Sequence, residues 1–317
     1  MKLIISSYKT NGDSIGLFNI TDKKYEKLSK ADILAPSFIV NGGDYIYTYE
    51  KSDVVSLYSY KQENEKLVKY DQIVIPGTSA THITYSKKNN LLIGCCYSDG
   101  TFFSVGVKDG IFTKIYSYLK QIEDDRLSRC HCVLLNKSED VLAVVNIALD
   151  AVYLYDIVRG ELIYKDIIEF KQGVGPRHAI YNQDNTLMYI MTEYSNEVIV
   201  VDMLSKKVIQ EISTIPNYKD TSYGATLIFS KDSKYLFASN RGEDSIARFK
   251  VLDSGKLEYI NSFSCGGKHP RHMVLSKDGN IIISCNKDSN NVALIDINKE
   301  DVVLDIPFEN VSGVDTL

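Results

Sequence analysis

An apolar run, a short polar turn built on Asp or Asn, and a second β-rich run recur along the chain. The copies read IISSYKTNGDSIGLF, YIYTYEKSDVVSLY, LIGCCYSDGTFFSV, LAVVNIALDAVYLYD, YIMTEYSNEVIVVD, LFASNRGEDSIARFK and IISCNKDSNNVALID. The turn residues Asp13, Asp53, Asp99, Asp150, Asn196, Asp244 and Asn290 mark them, at successive gaps of 40, 46, 51, 46, 48 and 46 residues. From the second copy onward a further strand stands in front: PSFIV, THITYS, HCVLL, RHAIY, ATLIF and RHMVL. Turns such as NQDN, SKDS and SKDG lie before the next run, rich in residues that tolerate tight turns. Several units close on another strand, as in ELIYKDIIEF and KVIQEIST. Strands in series with short turns, and no long 3.6-residue period, predict an all-β protein.

A repeat of roughly 40 to 50 residues matches one four-stranded propeller blade. Seven copies therefore predict a seven-bladed β-propeller of four-stranded antiparallel blades around a central channel. Residues 1–317 are expected to form a single domain. Its N- and C-terminal strands would share a blade and close the ring, leaving no long exposed edge.

Composition narrows the function more than the fold. There are 22 Tyr and 11 Phe but no Trp, and rings of this kind suit a pleated surface. The net charge of −5, without any block of like charges, speaks against nucleic-acid or membrane-surface partners. The opening MKLIISSYKTNGDS is too short in apolar residues for a secretory leader, and a cytoplasmic location is expected. The six cysteines form no CxxC pair. Cys130-His131-Cys132 has metal-ligand residues, but a strand points neighbouring side chains to opposite faces, so reduced thiols and no metal are expected.

The first strand of a propeller blade lines the channel, so residues at the blade starts converge on its axis. Four of the five histidines lie there: His82, His131, His178 and His272. His82, His178 and His272 share one register, while His131 is level with Arg177 and Arg271. A second row, at the end of the following strand, comprises Lys51, Tyr97, Ile147, Glu193, Arg241 and Lys287. Glu193 and Arg241 stand there on neighbouring blades. A carboxylate beside arginines stays ionised and can act as a base. The arginines suit a small anion, since their forks match phosphate or carboxylate.

At these residues the chain resembles the lactonase-type propellers, the bacterial 6-phosphogluconolactonase family. The resemblance is carried by GVGPRHAIYNQDNTLMYIMTEYSNEVIVVD, YGATLIFSKDSKYLFASNRGEDSIARFKV and KHPRHMVLSKDGNIIISCNKDSNNVALIDIN, with weaker matches at PGTSATHITYS and RCHCVLL. It implies hydrolysis of 6-phosphogluconolactone, a small phosphorylated sugar lactone, to 6-phosphogluconate in the pentose phosphate pathway, without cofactor or metal. By motif it carries catalytic roles onto Arg177, His178, Glu193 and Arg241. His82, His131, Asn240, Arg271 and His272 are expected to bind substrate. Glu193 or His178 would deprotonate a water, and Arg177 and Arg241 would stabilise the oxyanion. The chain departs from the family's A-D-I-H segment at Ala225-Thr226-Leu227-Ile228, and has Thr192 in place of Asn. A related lactonase or cycloisomerase, and a non-catalytic protein-binding propeller, are the alternative readings.

Overall fold

The computed structural model of this 317-residue chain describes residues 1–121 and 126–317, and every regular element among them is a strand. Two compact units are described, Met1–Ile167 with Asn310–Leu317 and Ile168–Glu309. The first unit opens with β1 (Lys2–Ser7), β2 (Ile15–Thr21) and β3 (Lys24–Ala31). It continues with β4 (Ile39–Asn41), β5 (Tyr45–Lys51), β6 (Val55–Glu63) and β7 (Lys66–Ile75). Next come β8 (Ala80–Ser86), β9 (Leu91–Cys96), β10 (Thr101–Lys108) and β11 (Ile111–Lys120), then β12 (Cys130–Leu135), β13 (Val141–Asn146), β14 (Ala151–Val158) and β15 (Glu161–Glu169). The second unit holds β16 (Pro176–Tyr181), β17 (Leu187–Thr192), β18 (Glu197–Asp202) and β19 (Lys207–Ser213). Its other strands are β20 (Tyr223–Phe229), β21 (Tyr235–Arg241), β22 (Ser245–Val251), β23 (Leu257–Ser264), β24 (Pro270–Leu275), β25 (Ile281–Asn286), β26 (Asn291–Asp296) and β27 (Asp301–Pro307). The last strand, β28 (Val311–Thr316), belongs to the first unit and pairs antiparallel with β1. Each sheet has four strands, in the order β28-β1-β2-β3 and, for the other six, in plain sequence order.

The turn markers explain why the sheets form where they do. Asp150, Asn196, Asp244 and Asn290 have φ between 51° and 57°, the left-handed region that Asn and Asp tolerate best among residues with a side chain. The neighbouring Gly100 (φ 69°) takes that conformation in place of Asp99. The second and third strands of each sheet are then nearly continuous in apolar, buried residues, as in β9 and β17, while outer strands such as β3 face water. Sheet-on-sheet packing buries these faces. In the second unit Tyr189, Met191, Val198 and Val200 meet Leu227, Leu236, Ala238 and Phe249 in one cluster, and Phe237, Ile246, Met273 and Ile282 share the next. The abundant tyrosines fit this core because each keeps a polar tip. Tyr189, fully buried, donates its hydroxyl to the carbonyl of Gly255 at 2.6 Å.

Candidate functional site

The first strands of these sheets carry the feature that builds the site. In β8, β12, β16 and β24 the pairing skips one residue, namely Thr81, His131, Arg177 and Arg271. Such a bulge frees one residue from the alternation of the ladder and re-aims its side chain. In β20 the irregularity spans Ala225 and Thr226, between the pairs Gly224–Asn240 and Leu227–Ala238. The carbonyls of Gly224 and Ala225 serve there as acceptors for guanidinium groups: Arg241 Nη2 donates to Gly224 at 2.7 Å, and Arg177 Nη1 donates to Ala225. Gly224 permits the close approach of β20 to β17, because a Cβ there would come within 2.1 Å of the Thr192 carbonyl oxygen.

Between the two arginines lies Glu193. Its Oε2 is 2.9 Å from Arg177 Nε and 2.9 Å from Arg241 Nη2. Both guanidinium groups are buried, while the Glu193 side chain keeps 18% of its surface. Burial pushes the Glu193 carboxyl upward, but Arg177, Arg241 and Arg271 outweigh it and hold its pKa below the usual carboxylate value. Glu193 therefore stays ionised, with one oxygen committed to two cations and reduced basicity. Arg241 also lies 5.8 Å over the Tyr223 ring. Three arginines against one carboxylate leave this region cationic in a protein of net charge −5.

His178 is half-buried, and its Nδ1 accepts the backbone N–H of Leu227 at 3.2 Å, with the Thr226 hydroxyl at 3.4 Å. An imidazole accepting through Nδ1 carries its proton on Nε2 when neutral, so it offers a donor to its surroundings rather than a lone pair. His82 makes the same contact in the first unit, accepting Val133 N–H at 3.4 Å, and its ring packs on Phe38 at 4.3 Å. The shared register of His82 and His178 thus has a scaffold cause: each joins the first strands of adjacent sheets. His272 is half-buried. Burial, then Arg177 and Arg271, lower its pKa to about 3, so it is a neutral imidazole at ordinary pH.

Asn240 belongs to the scaffold. It is fully buried, its Oδ1 accepts the Thr214 hydroxyl at 2.6 Å, and its Nδ2 donates to Ser245 Oγ and the Thr214 carbonyl. Asn146 makes comparable buried contacts to Gln121 and Ser128. The substrate contact expected of Asn240 has no free polar atom to make it.

In the first unit, His131 is buried and meets the Tyr97 ring edge-on at 6.0 Å. Arg129, which the strand register does not mark, donates to the Tyr97 hydroxyl at 3.0 Å with its guanidinium 4.9 Å from that ring. Cys130 and Cys132 turn to different partners: Cys130 Sγ to the Gly100 carbonyl and Gln121, Cys132 Sγ to within 4.0 Å of His82 Nε2. All six thiols are buried and free of disulfides. Burial raises the pKa of Cys265 to about 12.

The second unit also gathers a histidine that the strand register does not mark. His269 precedes β24, with Nδ1 3.1 Å from Oδ2 of Asp288, whose Oδ1 accepts Lys287 Nζ at 3.2 Å. A cavity of about 530 Å³ in the same unit, lined by Asn182, Tyr189, Phe229 and Gly255 among others, includes none of these charged groups.

The family model described as lactonase, 7-bladed beta-propeller matches residues 2–313. The chain belongs to this lactonase family. The seven four-stranded sheets are its seven blades, as the repeat count predicts. A protein of Bacillus subtilis (strain 168) named 6-phosphogluconolactonase is 26% identical over 313 residues, covering 92% of this chain and 90% of that protein. Among solved structures, the periplasmic gluconolactonase of Pseudomonas aeruginosa superposes with a TM-score of 0.88 at 20% identity, covering 99% of this chain and 98% of that one. A protein of Lactobacillus plantarum superposes with a TM-score of 0.90 at 22% identity over the whole of both chains. These structural likenesses bear on the lactonase fold. Among the described residues of this family member, no helix is long and apolar enough to cross a membrane.

Proposed function

We propose that this chain hydrolyses a sugar lactone, with 6-phosphogluconolactone as substrate and 6-phosphogluconate as product. The observation that carries the reading is the pair of buried guanidinium groups sharing one oxygen of Glu193. Two fixed cations with further N–H groups suit an oxygen that gains negative charge as water adds to a lactone carbonyl. They are held by backbone carbonyls and by Glu193, so little reorganisation is needed when that charge develops. Glu193 fixes their orientation and keeps its second oxygen to align a water. His178 contributes an N–H to the substrate. The excess of arginine over carboxylate around Glu193 favours a phosphorylated substrate over a neutral one, and the name of the Bacillus subtilis relative accords with this choice.

The test is a rate assay, corrected for spontaneous opening, on 6-phosphogluconolactone and on gluconolactone. The wild type should show higher kcat/KM on the phosphorylated compound. Glu193→Gln and Arg241→Ala should each lower kcat by about 100-fold or more, with a denaturation transition still present. Wild-type rates in both variants, or no lactone opened above background, would end the proposal.

A further inference from the structure

We propose that His269, oriented by Asp288, is the group that takes the proton from the attacking water. This assignment rests on the lactone-hydrolysing reading above and deepens it. Of the two groups first expected as base, His178 has Nδ1 occupied by Leu227 N–H, and Glu193 holds two arginines on one oxygen. Among the described residues, His269 has the arrangement that the role requires. Nδ1 faces the Asp288 carboxylate at 3.1 Å, which favours the tautomer with Nδ1 protonated. The Nε2 lone pair is then directed away from Asp288, and 27% of the side chain is exposed to reach a water.

The backbone around this ring is fixed from both sides. The His269 N–H donates to Asp244 Oδ1 at 2.8 Å, and its carbonyl accepts Lys287 N–H at 3.1 Å. Its φ is +62°, the left-handed region. At the same place before β16 the chain has Gly175, with φ +64°. A bulky side chain in this conformation is uncommon, and such outliers persist where the surroundings enforce them and cluster at functional sites. Here the enforced conformation holds an imidazole against Asp288, within reach of the charges of Arg241 and Arg271.

The charges around His269 come from every element against it: Arg241 and Asp244 from β21 and its turn, Arg271 from β24, Lys287 and Asp288 from the turn after β25. Burial, then Arg241, Arg271 and Lys287, lower its pKa to about 4, opposed by Asp288. It is therefore unprotonated in the free protein at neutral pH. An anionic substrate seated on the arginines offsets part of their field, and the imidazole becomes a stronger base when substrate is bound. In the step itself, water oxygen bonds to the lactone carbonyl carbon as Nε2 takes a water proton. The ring C–O bond then breaks, its electron pair goes to the ring oxygen, and that oxygen receives the proton held on Nε2. The product is the open hydroxy acid, which releases its carboxyl proton to solvent.

The experiment compares wild type, His269→Gly, His269→Asn and Asp288→Asn by steady-state hydrolysis of 6-phosphogluconolactone across pH. Gly and Asn both accept a positive φ, so the backbone is preserved. In the wild type, kcat/KM should rise with a midpoint near pH 4, and kcat with a higher midpoint, because the first reports the free enzyme and the second the complex. His269→Gly and His269→Asn should lose about 100-fold or more in kcat with KM little changed. Both should lose that acid limb, and added imidazole should partly restore His269→Gly. Asp288→Asn should move the midpoint downward, since it removes a carboxylate that raises the imidazole pKa. Wild-type kcat and pH limb in either His269 variant, or a loss confined to KM, would overturn the assignment while leaving lactone hydrolysis intact. A wild type that opens no lactone would remove both.

Discussion

Arg177 shows how much one side chain is asked to do. Its Nε lies against Glu193 while its Nη1 reaches the Ala225 carbonyl, two partners in different directions. A lysine presents all its donors from one nitrogen and cannot reach both partners as the spread nitrogens of the guanidinium do. Arg177→Lys should therefore lose one charge-assisted hydrogen bond, about 1.5–3 kcal/mol, seen as a fall of roughly 10- to 100-fold in kcat/KM. A variant with unaltered kcat/KM would mean that the second contact is idle. The register of the strands makes the nearness of Glu193 and Arg241 legible in the amino-acid sequence, because residues at equal depth on successive blades must be near one another, while Arg177 is read from the other row, at the start of the blade that carries Glu193. His269 is not legible in this way. It lies just outside the strand, and nothing in KHPRH reveals that its backbone is turned into the left-handed region. Asn240 is the opposite case: it adjoins Arg241 in the chain, but its amide is directed into the blade, at Thr214 and Ser245.

At the level of the element, the legible features are those with a local cause. Asp150, Asn196, Asp244 and Asn290 are readable as turn markers because the turn itself demands a residue that accepts a positive φ. The bulges at Arg177 and Arg271 leave no such mark, since a skipped pair depends on what the neighbouring strand does. The same holds for β20, whose role as acceptor for two arginines arises from its carbonyls and not from its side chains. Gly224 is the point where that arrangement can be tested. A Cβ there cannot fit against the Thr192 carbonyl, so Gly224→Ala should shift β20 and cost about 1–3 kcal/mol of stability. Because the shift also moves the acceptors of Arg177 and Arg241, activity should fall with it. Urea denaturation and kcat measured together would check this, and a loss of stability with kcat untouched would show that the arginines do not depend on β20 for their aim.

Over the whole molecule, the buried titratable groups define the pH range in which the fold is stable. His269 and His272 have pKa values lowered from about 6.5 to about 4 and about 3. Unfolded, they would bind protons as pH falls through 6.5, whereas the folded protein does not take them up until much lower pH. The unfolded chain then holds more protons, and stability falls on acidification through that window, by at most about 1.4 kcal/mol per pH unit for each group. Carboxylates with lowered values, Glu193 and Asp288 among them, act in the same direction below about pH 4. On the alkaline side the sign of the shift reverses. Burial raises Tyr60, Tyr155, Tyr189, Cys96 and Cys265 to about 12, so their contribution is intact below their ordinary values and is lost as pH rises past them. Stability should therefore form a plateau between about pH 6.5 and 9, with the acid shoulder set by imidazoles. Denaturation midpoints measured from pH 4 to 11 would draw this curve. Replacing His272 by Asn should shorten the acid shoulder without moving the alkaline one, because Asn has no proton to gain in either state. An acid shoulder unchanged by that substitution would mean that His272 titrates at the same pH in the folded and unfolded chain, so that neither its burial nor the charge of Arg177 and Arg271 acts on it.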